Sequence, residues 1–535
     1  NKFTFDARYS LIRSDGYIDR AKADVSSYYA SSTFYHDATM IKLITFGSNE
    51  KTNQAWNYVP SYMIAEGNRT YNSCGEYTEN GITKYYDQTD NYQQQHYHLN
   101  FVHQFSGLFD LNTTLHYTHG KGYYEDYKTD ADLMSYLIDS NESSDLIRRK
   151  WMDNDFYGIV ANLTHKGEHL VTNIGLAANR YNGDHYGRVI WARSIDNLNP
   201  DHEYYHNEGI KTDFNAFIKA QYSFPIGLTT YADVQFRHID YTINGLVDKI
   251  GQMDIAKKFD FLNPKAGIVY SNNGHYAYAS YSVGHREPNR NNYTESPTEQ
   301  PSSETLYDIE AGYSFSSRIL SVGANFYRMD YDDQLIRTGR ISEIGEALTS
   351  NIDDSYRMGI EFTLDIQPLS WLKWSGNTTF STNKIKNFKE HVSCYDSNWN
   401  ELSPIVIDYP ETDIAFSPSV VGNSTFDISF CNIYSQIHTQ WVGRQYLDNT
   451  TCKERSLDGY CISNINIGYT LKPTWLNEID IMVRINNIFG EEYETSGWVA
   501  SYVVEGVSTI DNRTTEDGLA VQAKTNIMVG LKIKL

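Results

Sequence analysis

No stretch of this 535-residue sequence approaches the roughly 18 to 20 consecutive apolar residues that a membrane-crossing helix needs, which excludes a helical membrane protein. Positive charge is also short: 45 Lys and Arg face 67 Asp and Glu, and the formal net charge of −22 would repel the phosphates of a nucleic acid. Cysteine is sparse, with five residues and no pair at zinc-finger spacing. Cys452 and Cys461 lie either side of one expected loop and are candidates for a small disulfide in an oxidising compartment, while Cys74 and Cys394 fall in other long loops and Cys431 near a short turn. There is no Walker glycine loop, dinucleotide fingerprint or paired-histidine zinc motif. Nor can a nucleophile with its base and orienting group be assigned, so the sequence reads as a non-enzyme without a cofactor.

Only 12 prolines stand against 44 Tyr and 9 Trp, and these aromatics suit the headgroup level of a membrane barrel. Apolar residues make up 40% of the chain and the mean hydropathy is −0.54, values that resemble a soluble protein. A transmembrane β-barrel gives the same values, because every second residue of each strand faces the lumen and can be polar. The alternation is clean over 354–366: Tyr356, Met358, Ile360, Phe362, Leu364 and Ile366 share one parity, and Ser355, Arg357, Gly359, Glu361, Thr363 and Asp365 the other. Ile527, Val529, Leu531, Ile533 and Leu535 repeat it at the far end, and Phe3, Phe5, Ala7, Tyr9 and Leu11 at the near one.

Read this way, the chain holds about twenty strands in up-and-down order, among them 109–120, 152–166, 169–181, 211–223, 412–427 and 517–535. Short connections such as 36–37, 106–110 and 316–317 alternate with long ones near 49–91, 121–151, 182–210, 287–303, 331–353, 385–411 and 490–516. Short turns on one rim and long loops on the other are how outer-membrane barrels are built. The expected fold is all-β, an antiparallel transmembrane β-barrel occupying 1–535 as one domain.

Several segments resemble the barrel of a TonB-dependent outer-membrane receptor of the siderophore type: 14–21 (SDGYIDRA), 54–57 (QAWN), 263–267 (NPKAG), 282–290 (SVGHREPNR), 330–335 (DYDDQL), 355–361 (SYRMGIE) and 486–493 (NNIFGEEY). They span nearly the whole chain in the family's order. The resemblance implies a 22-stranded barrel around an N-terminal plug, with the plug and the first two strands outside this sequence. It implies a Gram-negative cell outer membrane location and import of a metal chelate, most simply a ferric siderophore. The partners it implies are outer-membrane lipid, the TonB energy-transducing complex reached through the plug segment, and a surface lipoprotein as a further candidate. Alternatives are a cobalamin or haem receptor, and a plugless passive pore or structural barrel.

Candidate ligand residues sit on long loops or at the outer end of lumen-facing positions. Ala277, Ala279, Tyr281 and Val283 take the lipid parity and leave Arg286 inward near the mouth, with Arg290 following. Two guanidinium forks there suit the carboxylate or phenolate oxygens of an anionic chelate. Trp56, Tyr58 and Tyr62 in one loop, and Trp191, Arg193, Tyr204 and Tyr205 in another, are candidates for the amphipathic lining of a flat ligand. His202 and His206 flank Tyr204 and Tyr205 and raise a haem reading. His96 and His98 face the lumen while His103 takes the other parity, so these three do not form one cluster. Asp126, Asp130 and Asp132 lack the spacing of a dedicated calcium loop.

Overall fold

In a computed structural model the chain, described over residues 2–294, 300–343 and 345–535, forms one 23-stranded sheet with two short two-stranded ribbons beside it. Twenty of the strands follow one another as antiparallel neighbours, from Phe3–Ser14 and Ala23–His36 through to Glu478–Asn486 and Asn526–Lys534. The other three, Glu401–Asp413, Glu494–Val504 and Thr514–Val521, branch from the rim end of the long Leu372–Tyr395 strand. Among the described residues the first and last strands make no ladder with each other. The sheet's two ends nevertheless meet at the long-loop rim. Trp498 Nε1 donates to the carbonyl of Asn57 (2.9 Å), the Ser61 amide donates to Asp517 (2.8 Å), and Arg69 pairs with Glu494 (2.8 Å). Contacts between residues more than 400 positions apart bring the ribbon back on itself.

Across the wall the alternation sets which side chains face out. In the Ala347–Leu369 strand Ile360 and Phe362 are 43% and 48% exposed, whereas Ser355 is fully buried. Leu99, Leu115 and Ile159 are exposed cross-strand neighbours, and the next outward row is Tyr97, Tyr117 and Tyr157. Above it come Gln95, His119 and Asp155, so the tyrosines mark the edge of a greasy belt. Such a continuous exposed apolar band is stable only against lipid. No helix among the described residues is long and apolar enough to cross a membrane.

Several stretches expected as loops are strand. Phe109–Asp132 and Ser143–Lys166, and likewise Leu170–Ala192 and His202–Ser223, run far past the aromatic row as paired hairpins. Above the belt neither face meets lipid, so the two-residue hydrophobic rhythm ends while the backbone ladder continues. The 412–427 strand is likewise broken between Asp413 and Val420, and 517–535 between Val521 and Asn526. The Cys452–Cys461 pairing does not form. Cys452 contacts Glu454, Cys461 is an exposed strand residue opposite Trp441, and all five cysteines are free. Of the long connection at 287–303, residues 295–299 lie outside the described residues, and of that at 331–353, residue 344.

The buried apolar clusters all lie toward the rim, in this extension. Leu133, Tyr136, Leu146, Val189 and Tyr204 form one cluster, and Ile239, Tyr241, Ile243, Met253 and Tyr293 another. The protein therefore has its hydrophobic core at the mouth and its hydrophobic surface around the waist.

Candidate functional site

One inward row of the extended hairpins sets the floor of a cleft. The pairing register aligns Glu50, Tyr92, Gly122, Met152, His185 and Asn207 side by side across six neighbouring strands. Gly120 and Gly122 leave room for the Tyr92 ring, which a Cβ at either position would strike. Together with Tyr124, Tyr205, Lys150 and the Arg290–Thr294 helix, the row encloses a cleft of about 770 Å³ at the mouth.

The cleft's charges are arranged unevenly. Lys150 pairs with Asp248 (2.5 Å) and Glu343 (2.8 Å), and Lys249 also pairs with Glu343. Behind them Arg148, 1% exposed, grips Asp126 with two nitrogens (2.9 and 3.1 Å) and reaches Glu343 (3.1 Å) and Asp248 (3.5 Å). Burial alone would raise the Asp126 pKa, but the Arg148 guanidinium and then Lys128 hold it below the usual carboxylate range. These cations are neutralised by neighbouring carboxylates. Arg290 is held differently.

One terminal nitrogen of Arg290 donates to Asn207 Oδ1 (2.6 Å), and Asn207 is itself oriented by its own donation to the Leu246 carbonyl (3.0 Å). Among the described residues the other terminal nitrogen is buried without a hydrogen-bond partner and no carboxylate pairs with the group, which has the Tyr241 side chain beside it. Burial pulls the guanidinium below the usual arginine range. A buried cation without a counter-ion is costly, and an anionic ligand would remove that cost. His185 lies in the same row. Burial first, and then the charge of Arg290, push its imidazole down to about 3, so it is neutral, and its Nε2 is buried without a partner. The cleft thus offers one unneutralised cation, one neutral imidazole, a carboxamide and aromatic walls. That set fits an anion carried on a flat, partly apolar body.

Of the expected ligand residues, Arg290 and Tyr205 line the cleft, and Trp56 stands behind it with its ring edge-on to Tyr124 (5.2 Å). The others are placed elsewhere. Arg286 is taken up by Glu304 (2.8 Å) and the Leu335 carbonyl (3.1 Å). Tyr58 lines a separate small recess with Arg337, Arg340 and Phe416. Trp191 stacks on Tyr127, and Arg193 pairs with Glu79 (2.8 Å) and Asp145 (3.1 Å) on the exposed side. Tyr204 is buried against Tyr136 and Leu133, and Tyr62 is exposed on a short helix. His202 is engaged by the Tyr136 carbonyl and His206 by Glu203 and Asp184, so the two do not share a ligand space. Asp126 is consumed by Arg148, and Asp132 caps the turn at Met134. His185, Asn207, Tyr92 and Lys150 escaped sequence reasoning, because only the register across six strands brings them together.

A twenty-strand succession that is greasy outside, polar inside and capped by long hairpins defines an outer-membrane β-barrel. Residues 25–488 match the family described as TonB dependent receptor-like, beta-barrel, and the chain belongs to that family; its place is the outer membrane. Among solved structures it is similar to the ferric-catecholate import receptor Fiu from K12 E. coli in its closed form (12% identity, TM-score 0.67, covering 100% of this chain and 78% of that one). It is likewise similar to the ferric citrate transporter FecA in unliganded form (11%, TM-score 0.73, 100% and 74%) and to the copper transporter OprC (10%, TM-score 0.69, 100% and 76%). No curated protein matches the sequence. The family and these neighbours are transport receptors, not enzymes.

Proposed function

We propose that this chain is the barrel of a receptor that imports an anionic metal chelate, a ferric siderophore in preference to cobalamin or haem, with energy supplied by TonB through a plug that lies outside this sequence and occupies a barrel of 22 strands. The observation that carries the reading is Arg290: a buried guanidinium facing an aromatic cleft at the mouth with no carboxylate to neutralise it among the described residues. The similar structures include a ferric-catecholate import receptor and a ferric citrate transporter, which supports the same ligand class. In this reading the chelate docks against Tyr92, Tyr124 and Tyr205, and its oxygens take the free Arg290 donor and His185. Trp56 supports that wall from behind, while Arg286, Tyr58, Trp191, Arg193 and Tyr204 shape the mouth around it.

The test is equilibrium binding of a panel of ferric catecholate, citrate and hydroxamate complexes to the intact purified receptor, beside Arg290→Gln and Arg290→Lys. A charged hydrogen bond worth about 1.5–3 kcal/mol gives an affinity loss of roughly ten- to a hundredfold for Arg290→Gln with the bound chelate. Arg290→Gln binding every chelate as tightly as the parent, or a parent that binds none of them, would overturn the reading. A large steady conductance of the intact protein in planar bilayers would favour a passive pore instead.

A further inference from the structure

Below the cleft the inner wall carries a second group of side chains. The register places His98 directly opposite His116, then His116 opposite Gly158 and Gly158 opposite Asn179. This row is six residues along the Thr89–Ser106 strand from Tyr92, or about 20 Å at the usual strand rise. It lies level with the outer edge of the lipid belt, between the Leu99 and Tyr97 rows.

The two imidazoles are set up unlike the third one nearby. His96 has both ring nitrogens occupied, one by the Thr118 hydroxyl (2.8 Å) and one by Gln94 Oε1 (3.0 Å). His116 is anchored at Nε2 alone, 2.9 Å from Asn179 Oδ1. An amide oxygen only accepts, so Nε2 carries the proton and Nδ1 keeps a free lone pair. This is the outer hydrogen bond by which proteins fix a metal-binding imidazole. Gly158 makes it possible, because a Cβ there would collide with both His116 Nε2 and Asn179 Oδ1. Among the described residues His98 has contacts only through its ring faces and edges: its centroid is 6.5 Å from that of His116, at 82°, 6.3 Å from His96 and 5.5 Å from Phe46. With metal–nitrogen bonds of about 2.0–2.1 Å, two imidazoles sharing one ion have centroids on the order of 5–6 Å apart, within reach of a small side-chain rotation. Phe46 on one flank and Phe156, 4.8 Å from His116, on the other hold the rings in place.

We propose that His98 and His116 bind a divalent transition-metal ion of the imidazole-seeking kind, Cu2+ foremost, on the inner wall of the barrel. No group of three His, Cys, Asp or Glu is assembled among the described residues, so the remaining positions around the ion are filled by water. Two nitrogens and two oxygens in a plane suit Cu2+. The site is independent of the chelate cleft and does not rest on the reading proposed above.

The test uses the intact receptor, stripped with EDTA and titrated with Cu2+ under electron paramagnetic resonance. The parent is expected to show one Cu2+ with two-nitrogen coupling. His98→Gln, which removes no protein hydrogen bond, is expected to lose that signal and one equivalent of binding. His103→Gln, on the outward face against Thr39, keeps both, and Asn179→Leu binds about tenfold more weakly. Unchanged stoichiometry and coupling in His98→Gln, or no two-nitrogen species in the parent, would overturn the assignment. Ferric-chelate binding by His98→Gln is expected to equal the parent's, so failure of the chelate reading and failure of this one give separate results.

Discussion

The same strands obey opposite rules at two heights. At the waist, Leu115 and Tyr117 of the Phe109–Asp132 strand point their apolar surface outward and are 47% and 41% exposed. Higher up the same strand, Asp126 is buried under the fully enclosed Arg148. At the waist one face meets hydrocarbon and the other the lumen, so polarity alternates with the pleat. Above it the outward face carries ion pairs such as Lys121–Asp153 and Arg149–Glu125, and the inward face carries the Arg148 network and the cleft. The waist is therefore fixed by its solvent and the mouth by specific partners. The waist can exchange one greasy residue for another, whereas the mouth depends on individual charges.

The strongest way to break this division is Arg148→Met, which takes the bidentate partner from buried Asp126 and leaves it Lys128 alone, while Asp248 and Glu343 keep Lys150. The expected cost is about 3–5 kcal/mol, confined to the mouth. Hydrogen exchange should show lost protection in the hairpin ends around 120–132 and 143–152 and unchanged protection below the Tyr117 row. Next comes the waist itself. Leu176, outward and four residues below the aromatic row, is expected to cost about 2–4 kcal/mol as arginine. Arginine at the outward Asn182 above the belt should cost under about 0.5 kcal/mol, both read by urea titration of vesicle-folded protein.

Acid should separate the regions more gently. Asp126 titrates below its unfolded value of about 4, so its contribution is complete above that pH and is lost as the pH falls through the folded value. Limited proteolysis is expected to open the mouth hairpins progressively as the pH is taken below about 4, while the waist stays resistant. A small effect also belongs to the Arg188–Asp201 pair at the rim: Arg188→Ala should change stability by less than about 1 kcal/mol.

The same division explains what the sequence disclosed. Residues 354–366 announce a strand because lipid imposes a rhythm on Ile360 and Phe362. The run from Lys121 to Asp132 reads as a loop because both of its faces are polar, although it pairs almost throughout with 143–153. The place of Arg290 at the mouth was legible from its position after an outward-running strand. His185, Asn207 and Tyr92 were not, since their meeting depends on a register carried across six strands with no local signature. For the same reason His116 was not seen as the cross-strand neighbour of His98, and Glu304 could not be named as the wall carboxylate that holds Arg286.

The central claim is that the wall has a lipid face and a lumen face that alternate residue by residue. It is tested most directly by spin labels placed singly at 357–362 in a background lacking the five native cysteines, with relaxation by oxygen in the lipid compared with relaxation by a water-soluble nickel chelate. Labels at 358, 360 and 362 are expected to respond to oxygen and those at 357, 359 and 361 to nickel. A response without the two-residue period, or with the parities exchanged, would contradict the account.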